Sequence, residues 1–185
     1  MEREVKNLNI LSQFCEDFCT IINKHCKYIV VSGFVAIASG RTRGTEDIDL
    51  IMERVDFNRF KTIFADLKRS GFVCMQSADV KEIYDYLTEN LSVRFTRKNK
   101  PLPEMEVKFA KDELDNYQLN TKVKLELTGL GVWFSNINVN LAFKEELLKS
   151  PKDLEDAKHL RIVYSELVNE KEINEIKKMI KRLRL

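Results

Sequence analysis

Two aspartates stand two residues apart in the stretch Asp47-Ile48-Asp49-Leu50-Ile51-Met52. The stretch reads as a strand, and alternation along a strand puts both carboxylates on one face with Ile48 on the other. Carboxylates that close repel each other unless a cation lies between them. Magnesium suits such a pair, because it takes oxygen ligands and shares them with substrate phosphates. Two ions held this way can activate an attacking hydroxyl and neutralise a leaving pyrophosphate. Upstream, Gly33 falls where a strand gives way to a helix. A glycine there lets a phosphate approach the backbone, and the helix start offers free N–H groups to an anion. Ser32 adds a hydroxyl donor, and Arg41 and Arg43, in the loop before the carboxylates, can balance triphosphate charge.

The elements that must position these residues follow from periodicity and punctuation. Residues 3–25 carry Leu8, Leu11, Phe14, Phe18, Ile21 and Ile22 at helical spacing. Tyr28–Ser32 reads as a short buried strand and Phe34–Ser39 as a helix starting at the Gly33 break. Asp56 is an expected N-cap for a helix reaching Arg69, where Ser70-Gly71 stops it. A short strand near Phe72–Met75 and a helix over 79–89 come next. Leu91–Arg97 and Glu104–Ala110 alternate as half-buried strands do, separated by a Lys98–Pro103 turn with two prolines. Lys122–Thr128 and Val132–Asn136 are expected to pair as strands around Gly129–Gly131. From Leu141 onward the pattern is helical, with Ser150-Pro151 dividing a short helix from a long one. The prediction is an α+β (mixed α/β) fold, one mixed sheet flanked by helices with a helical C-terminal part. Residues 1–140 are expected to form the core with its N-terminal helix, and 141–185 a helical extension packed on it as one structural domain.

The stretch from Ser32 to Leu50 resembles the signature of the DNA-polymerase-beta-like nucleotidyltransferases. Their pattern is a Gly-Gly or Gly-Ser turn, a gap, then Asp-hydrophobic-Asp on a strand. It is most similar to the small prokaryotic branch, the minimal nucleotidyltransferases and abortive-infection toxin-like proteins. Gly33, Gly40, Arg43, Thr45, Asp47, Ile48 and Asp49 fall in register with that pattern. Ser32 departs from it in place of the first glycine, and Val35 in place of a smaller residue. A second patch, Pro151-Lys152-Asp153-Leu154-Glu155-Asp156 followed by Leu160, resembles the segment that opens a C-terminal helix in such proteins.

The resemblance implies a nucleotidyltransferase-type mixed sheet and a magnesium-dependent transfer of a nucleoside monophosphate from an NTP to an acceptor hydroxyl. Asp47 and Asp49 would hold two magnesium ions. A third carboxylate is expected on a neighbouring strand, where Glu106 is the candidate and Glu104 the fallback; it would also serve as base. Ser32, Gly33, Arg43, Thr45 and Lys152 are the expected nucleotide contacts. The acceptor implied is a protein, a tRNA or a small molecule. The alternative is an inactive nucleotide- or partner-binding protein on the same fold, such as a toxin–antitoxin component. A homodimer and a cognate toxin or antitoxin partner are the assemblies that fit.

The bulk properties fit that picture. The chain has 185 residues and a formal net charge of +2, which gives no global case for nucleic-acid binding. It has no basic-then-apolar leader pattern and no apolar run long enough to span a bilayer, so a cytoplasmic protein without membrane partners is expected. Cys15, Cys19, Cys26 and Cys74 do not form paired zinc knuckles and read as core residues. His25 and His159 lack partner motifs, Trp133 reads as packing, and the basic tail from Lys177 to Arg184 reads as a solvated helix face.

Overall fold

The computed structural model describes residues 2–45 and 47–185, with side chains from residue 10 onward. Helix α1 (Glu2–Asn23) buries Leu11, Phe14, Phe18, Ile21 and Ile22, as their spacing requires; the Leu8 side chain lies outside the described residues. Cys15 and Cys19 are buried, unbridged members of the same face. After β1 (Tyr28–Val31), α2 (Gly33–Ala38) and β2 (Asp47–Met52) comes α3 (Phe57–Arg69), capped by Asp56, whose carboxylate accepts from the Arg59 backbone N–H. Strand β3 (Phe72–Cys74), α4 (Val80–Thr88), β4 (Val93–Arg97) and β5 (Lys100–Phe109) follow.

The strands form one five-stranded sheet in the order β1-β2-β5-β4-β3. Strands β2 and β5 run parallel, and the other neighbours antiparallel. The fold is therefore α+β with a mixed sheet flanked by helices. Strand β2 shows how the two faces are divided. Ile48, Leu50 and Met52 point into the main core beside Phe18, Phe34 and Phe60. Ile51, on the opposite face, packs against a small cluster of Ile29, Ala110 and Leu119. Leu119 belongs to α5 (Glu113–Asn120), so that helix covers the opposite face beyond Ile51 while Asp47 stays exposed.

The chain ends in α6 (Ile137–Ala142), which runs on as a π-helical turn over Phe143–Leu148, then α7 (Pro151–Val163) and α8 (Glu170–Arg184). Ser150 caps α7 in a reciprocal capping box with Asp153. Ile173, Ile176 and Ile180 of α8 belong to the same hydrophobic cluster as Phe14 of α1. None of the helices among the described residues is long and apolar enough to cross a membrane.

Three local expectations are corrected. The turn before β5 is Lys98-Asn99, with Asn99 at positive φ, so both prolines lie inside the strand. They are tolerated because pairing with β2 begins at Glu104, beyond Pro103. Residues 122–136 do not form a strand pair: Val123 and Phe134 make an isolated bridge, and Glu126–Thr128 is a 3-10 turn. The long final helix is two helices, parted at Tyr164–Asn169. The basic tail keeps Lys178, Lys181 and Arg182 exposed, as a solvated face does, and Lys177, Lys181, Arg182 and Arg184 pair with Glu145, Glu146, Glu113 and Asp112.

Candidate active site

The parallel pairing of β2 with β5 sets Asp47 opposite Glu104 and Asp49 opposite Glu106. Parallel register keeps side chains of like parity on one face, so four carboxylates share the open face of the sheet. The Glu104 and Glu106 side chains keep 16% and 17% of their exposure, enough cover to make the crowding costly. Burial raises Asp49 to a pKa of about 6; Glu106 and Asp47 push the same way, while Lys108 and the Ser32 hydroxyl oppose them. Glu104 is raised by its cover and then by Asp47, against the pull of Arg94.

Two cations partly answer this charge. Arg94 of β4, in register with Glu106, places Nε 3.5 Å from Glu104 and Nη2 3.7 Å from Glu106. The Lys108 Nζ lies 3.6 Å from Glu106. Among the described residues no three Asp, Glu, His or Cys side chains already converge as they would around a metal ion. Arg94 and Lys108 lie beside the two glutamates instead. The oxygen-only donor set and its unbalanced negative charge still fit magnesium.

The turn leading to this face is under backbone constraint. Ser32 sits at φ 68°, ψ −143°, a region that glycine occupies freely and other residues at a cost. The serine thus holds a backbone conformation that suits glycine. At Gly33 a β-carbon would lie 2.2 Å from the Arg43 Nη2, so the guanidinium lies directly against the turn and would have to shift to admit a side chain there. Arg43 is held in place by Asp156, a fully buried residue of α7, to which it donates from Nε at 3.1 Å and Nη2 at 3.0 Å. Arg41 donates to the same carboxylate at 3.2 Å and Lys144 at 3.0 Å.

The expected nucleotide contacts are therefore dispersed. Ser32 borders the carboxylate face, and Gly33 packs on Arg43. Thr45 exchanges hydrogen bonds with the Asp47 backbone, its hydroxyl donating to the carbonyl at 3.2 Å and accepting from the N–H, which steadies the entry into β2. Lys152 is exposed on the first turn of α7 and is not among the residues lining the cavity beside Asp49. The lysines that do line it are Lys108, Lys111 and Lys144, of which Lys144 is 1% exposed. In sequence Lys144 lies in Phe-Lys-Glu-Glu-Leu-Leu, which reads as an ordinary helix surface. Arg94 was equally hidden, because alternation gives a residue's face but not the strand beside it, whereas alternation alone puts Lys108 on the face of Glu104 and Glu106. The histidines have structural partners: His25 pairs with Asp66 at 2.6 Å, and His159 meets the Ser39 carbonyl at 3.0 Å.

The cavity has a volume of about 410 Å³ and runs from Ser32, Asp49 and Glu106 to α5, α6 and the π-helical turn. Its size is ordinary for a small-molecule site.

Solved structures share this architecture. The antibiotic-resistance factor ANT(2'')-Ia in solution matches with a TM-score of 0.55 and 12% identity, over 94% of this chain and 92% of its own. An antigenic nucleotidyltransferase-like protein from Paracoccidioides brasiliensis matches at 0.56 and 15% identity, over 96% and 89%. ANT(2'')-Ia in complex with adenylyl-2''-tobramycin matches at 0.53 and 14% identity, over 96% and 98%. The chain has the nucleotidyltransferase fold. At these identities the likeness is one of fold. No protein-family model matches the chain, and no curated protein matches it by sequence.

Proposed function

We propose that this protein is a magnesium-dependent nucleotidyltransferase that moves a nucleoside monophosphate from an NTP to an acceptor hydroxyl and releases pyrophosphate. The observation that carries this reading is the register of Asp49 with Glu106 across two parallel strands, at the mouth of the cavity. Asp47, Asp49 and Glu106 are the residues that hold magnesium, which when bound supplies charge neutralisation for the triphosphate and activation of the acceptor hydroxyl. Glu106 takes the hydroxyl proton as the acceptor oxygen bonds to the α-phosphorus and the bond from that phosphorus to the pyrophosphate oxygen breaks. Ser32 and the backbone at Gly33 bind the phosphates, and Lys144 adds positive charge from the cavity wall. Arg43 acts from behind, by shaping the turn through Gly33.

The acceptor is a hydroxyl of a protein, a tRNA or a small molecule; ANT(2'')-Ia, solved with adenylyl-2''-tobramycin, supports transfer of this general kind. An inactive binding protein would be favoured by a Glu106 turned away from the aspartates; the register that sets Glu106 opposite Asp49 supports the active reading. The test is titration calorimetry of magnesium with each triphosphate into wild type and the Asp47→Asn/Asp49→Asn variant. Metal-dependent binding confined to wild type is expected, with release of pyrophosphate once an acceptor is supplied. A wild type that turns over no better than the variant on any acceptor that it binds would sink the proposal.

A further inference from the structure

Beyond the carboxylates the cavity is bounded by two amide side chains, Gln118 of α5 and Asn140 of α6. Each is 3% exposed. Their surroundings decide which end of each amide is which. The Asn140 Nδ2 faces three acceptors, the Ser135 carbonyl at 3.0 Å, the Ser135 hydroxyl at 2.8 Å and the Asn136 carbonyl at 3.0 Å. The Gln118 Nε2 faces the Asp115 carboxylate at 3.3 Å. An oxygen in either place would meet oxygen, so both nitrogens are committed to the protein. The two carbonyl oxygens accept no hydrogen bond from the described residues. No side-chain nitrogen or oxygen among those residues is both sealed and unpaired. The two oxygens therefore keep open surface, and the cavity is the space that both side chains border. Val139 and Phe143, one on each side of Asn140 along the same helical run, add apolar wall.

We propose that Gln118 and Asn140 read the base of the triphosphate, their carbonyls accepting the two N–H bonds of an exocyclic amino group while Val139 and Phe143 pack on the ring. The inference rests on the nucleotidyl-transfer reading and adds the base class to it. A planar base has an apolar face and a polar edge, which matches this lining. An amino group offers one N–H to each carbonyl. An oxo group in its place sets lone pairs against lone pairs and leaves two acceptors unpaired in a confined space. A site built to hydrogen-bond one group rejects the analogue lacking it more sharply than an apolar pocket rejects a change of size.

The experiment compares magnesium-dependent binding of ATP with ITP, GTP with ITP, and CTP with UTP, without acceptor, in wild type, Gln118→Met and Asn140→Leu. In wild type at least one amino-bearing triphosphate should bind about tenfold tighter than its partner lacking that amino group. Gln118→Met should bring that ratio to within about threefold. If Asn140→Leu does not fold, the wild-type series and Gln118→Met decide alone. Equal binding within all three pairs overturns the inference and leaves nucleotidyl transfer standing, with the amides assigned to the acceptor. A preference that survives Gln118→Met and a folded Asn140→Leu also overturns it. No metal-dependent binding of any triphosphate overturns the inference and the reading beneath it together.

Discussion

Two charged clusters lie on either side of the Ser32-Gly33 turn, and they are built in opposite ways. Around Asp156 one fully buried carboxylate receives Arg41, Arg43 and Lys144 through close hydrogen bonds. On the sheet face Asp47, Asp49, Glu104 and Glu106 share two loosely placed cations, Arg94 and Lys108, at 3.5–3.7 Å. The first cluster is positive in excess and rigid; the second is negative in excess and partly open. A buried charge network that is hydrogen-bonded throughout holds a shape, whereas crowded carboxylates, here with Asp49 and Glu104 raised in pKa, store a preference for a cation. The turn between them touches the first through Arg43 on Gly33, and its Ser32 lines the cavity together with Asp49.

If the Asp156 cluster is structural, Asp156→Ala should give the largest effect. It leaves three cations facing one another in a buried site and should cost about 3–5 kcal/mol of unfolding free energy by urea denaturation. An unchanged midpoint would place the cluster's value elsewhere. Gly33→Ala comes next, at about 1–3 kcal/mol, because its β-carbon displaces the Arg43 guanidinium from Asp156. A double-mutant cycle sharpens this: in an Arg43→Met background the Gly33→Ala penalty should shrink, and an undiminished penalty would break the link between turn and cluster.

The sheet face predicts the opposite sign. Asp49 has a folded pKa of about 6 against an ordinary value of 3.8. The folded state therefore holds the proton longer than the unfolded chain, and stability falls as pH rises from about 4 through about 6. Above pH 6 in the absence of divalent cations, Asp49→Asn should be more stable than wild type by about 1–2 kcal/mol. The difference should close below pH 4, where both states of wild type are protonated. Melting curves across pH read this directly, and a variant less stable than wild type at pH 8 would show that the acids are not strained. The smallest effect is Ser32→Gly, which should gain about 1 kcal/mol by releasing positive-φ strain; a loss of that size in the same denaturation series would mean that the hydroxyl is worth more than the strain.

Most of the sheet was legible before the structure, because strands β2 and β5 carry clean two-residue alternation and Asp56 and Ser150 are strong caps. Helix α5 was not read at all, since Glu113–Asn120 has too little apolar periodicity to stand out. The 122–136 region alternates like a pair of strands yet makes only an isolated bridge between Val123 and Phe134. Alternation records burial on two sides and does not require a ladder.

The sequence by itself determined which residues are acidic, that Asp47 and Asp49 share a face, and that Glu104 and Glu106 share one of their own. Those facts follow from strand geometry and need no partner. Only the tertiary structure decided that the two acidic faces are the same face, because strand order and register are set by packing far from the carboxylates. It also decided that Arg43 serves Asp156, that Lys144 and not Lys152 borders the cavity, and that Gln118 and Asn140 border it from two different helices. Each of these depends on residues brought together from distant parts of the chain, where local spacing carries no information.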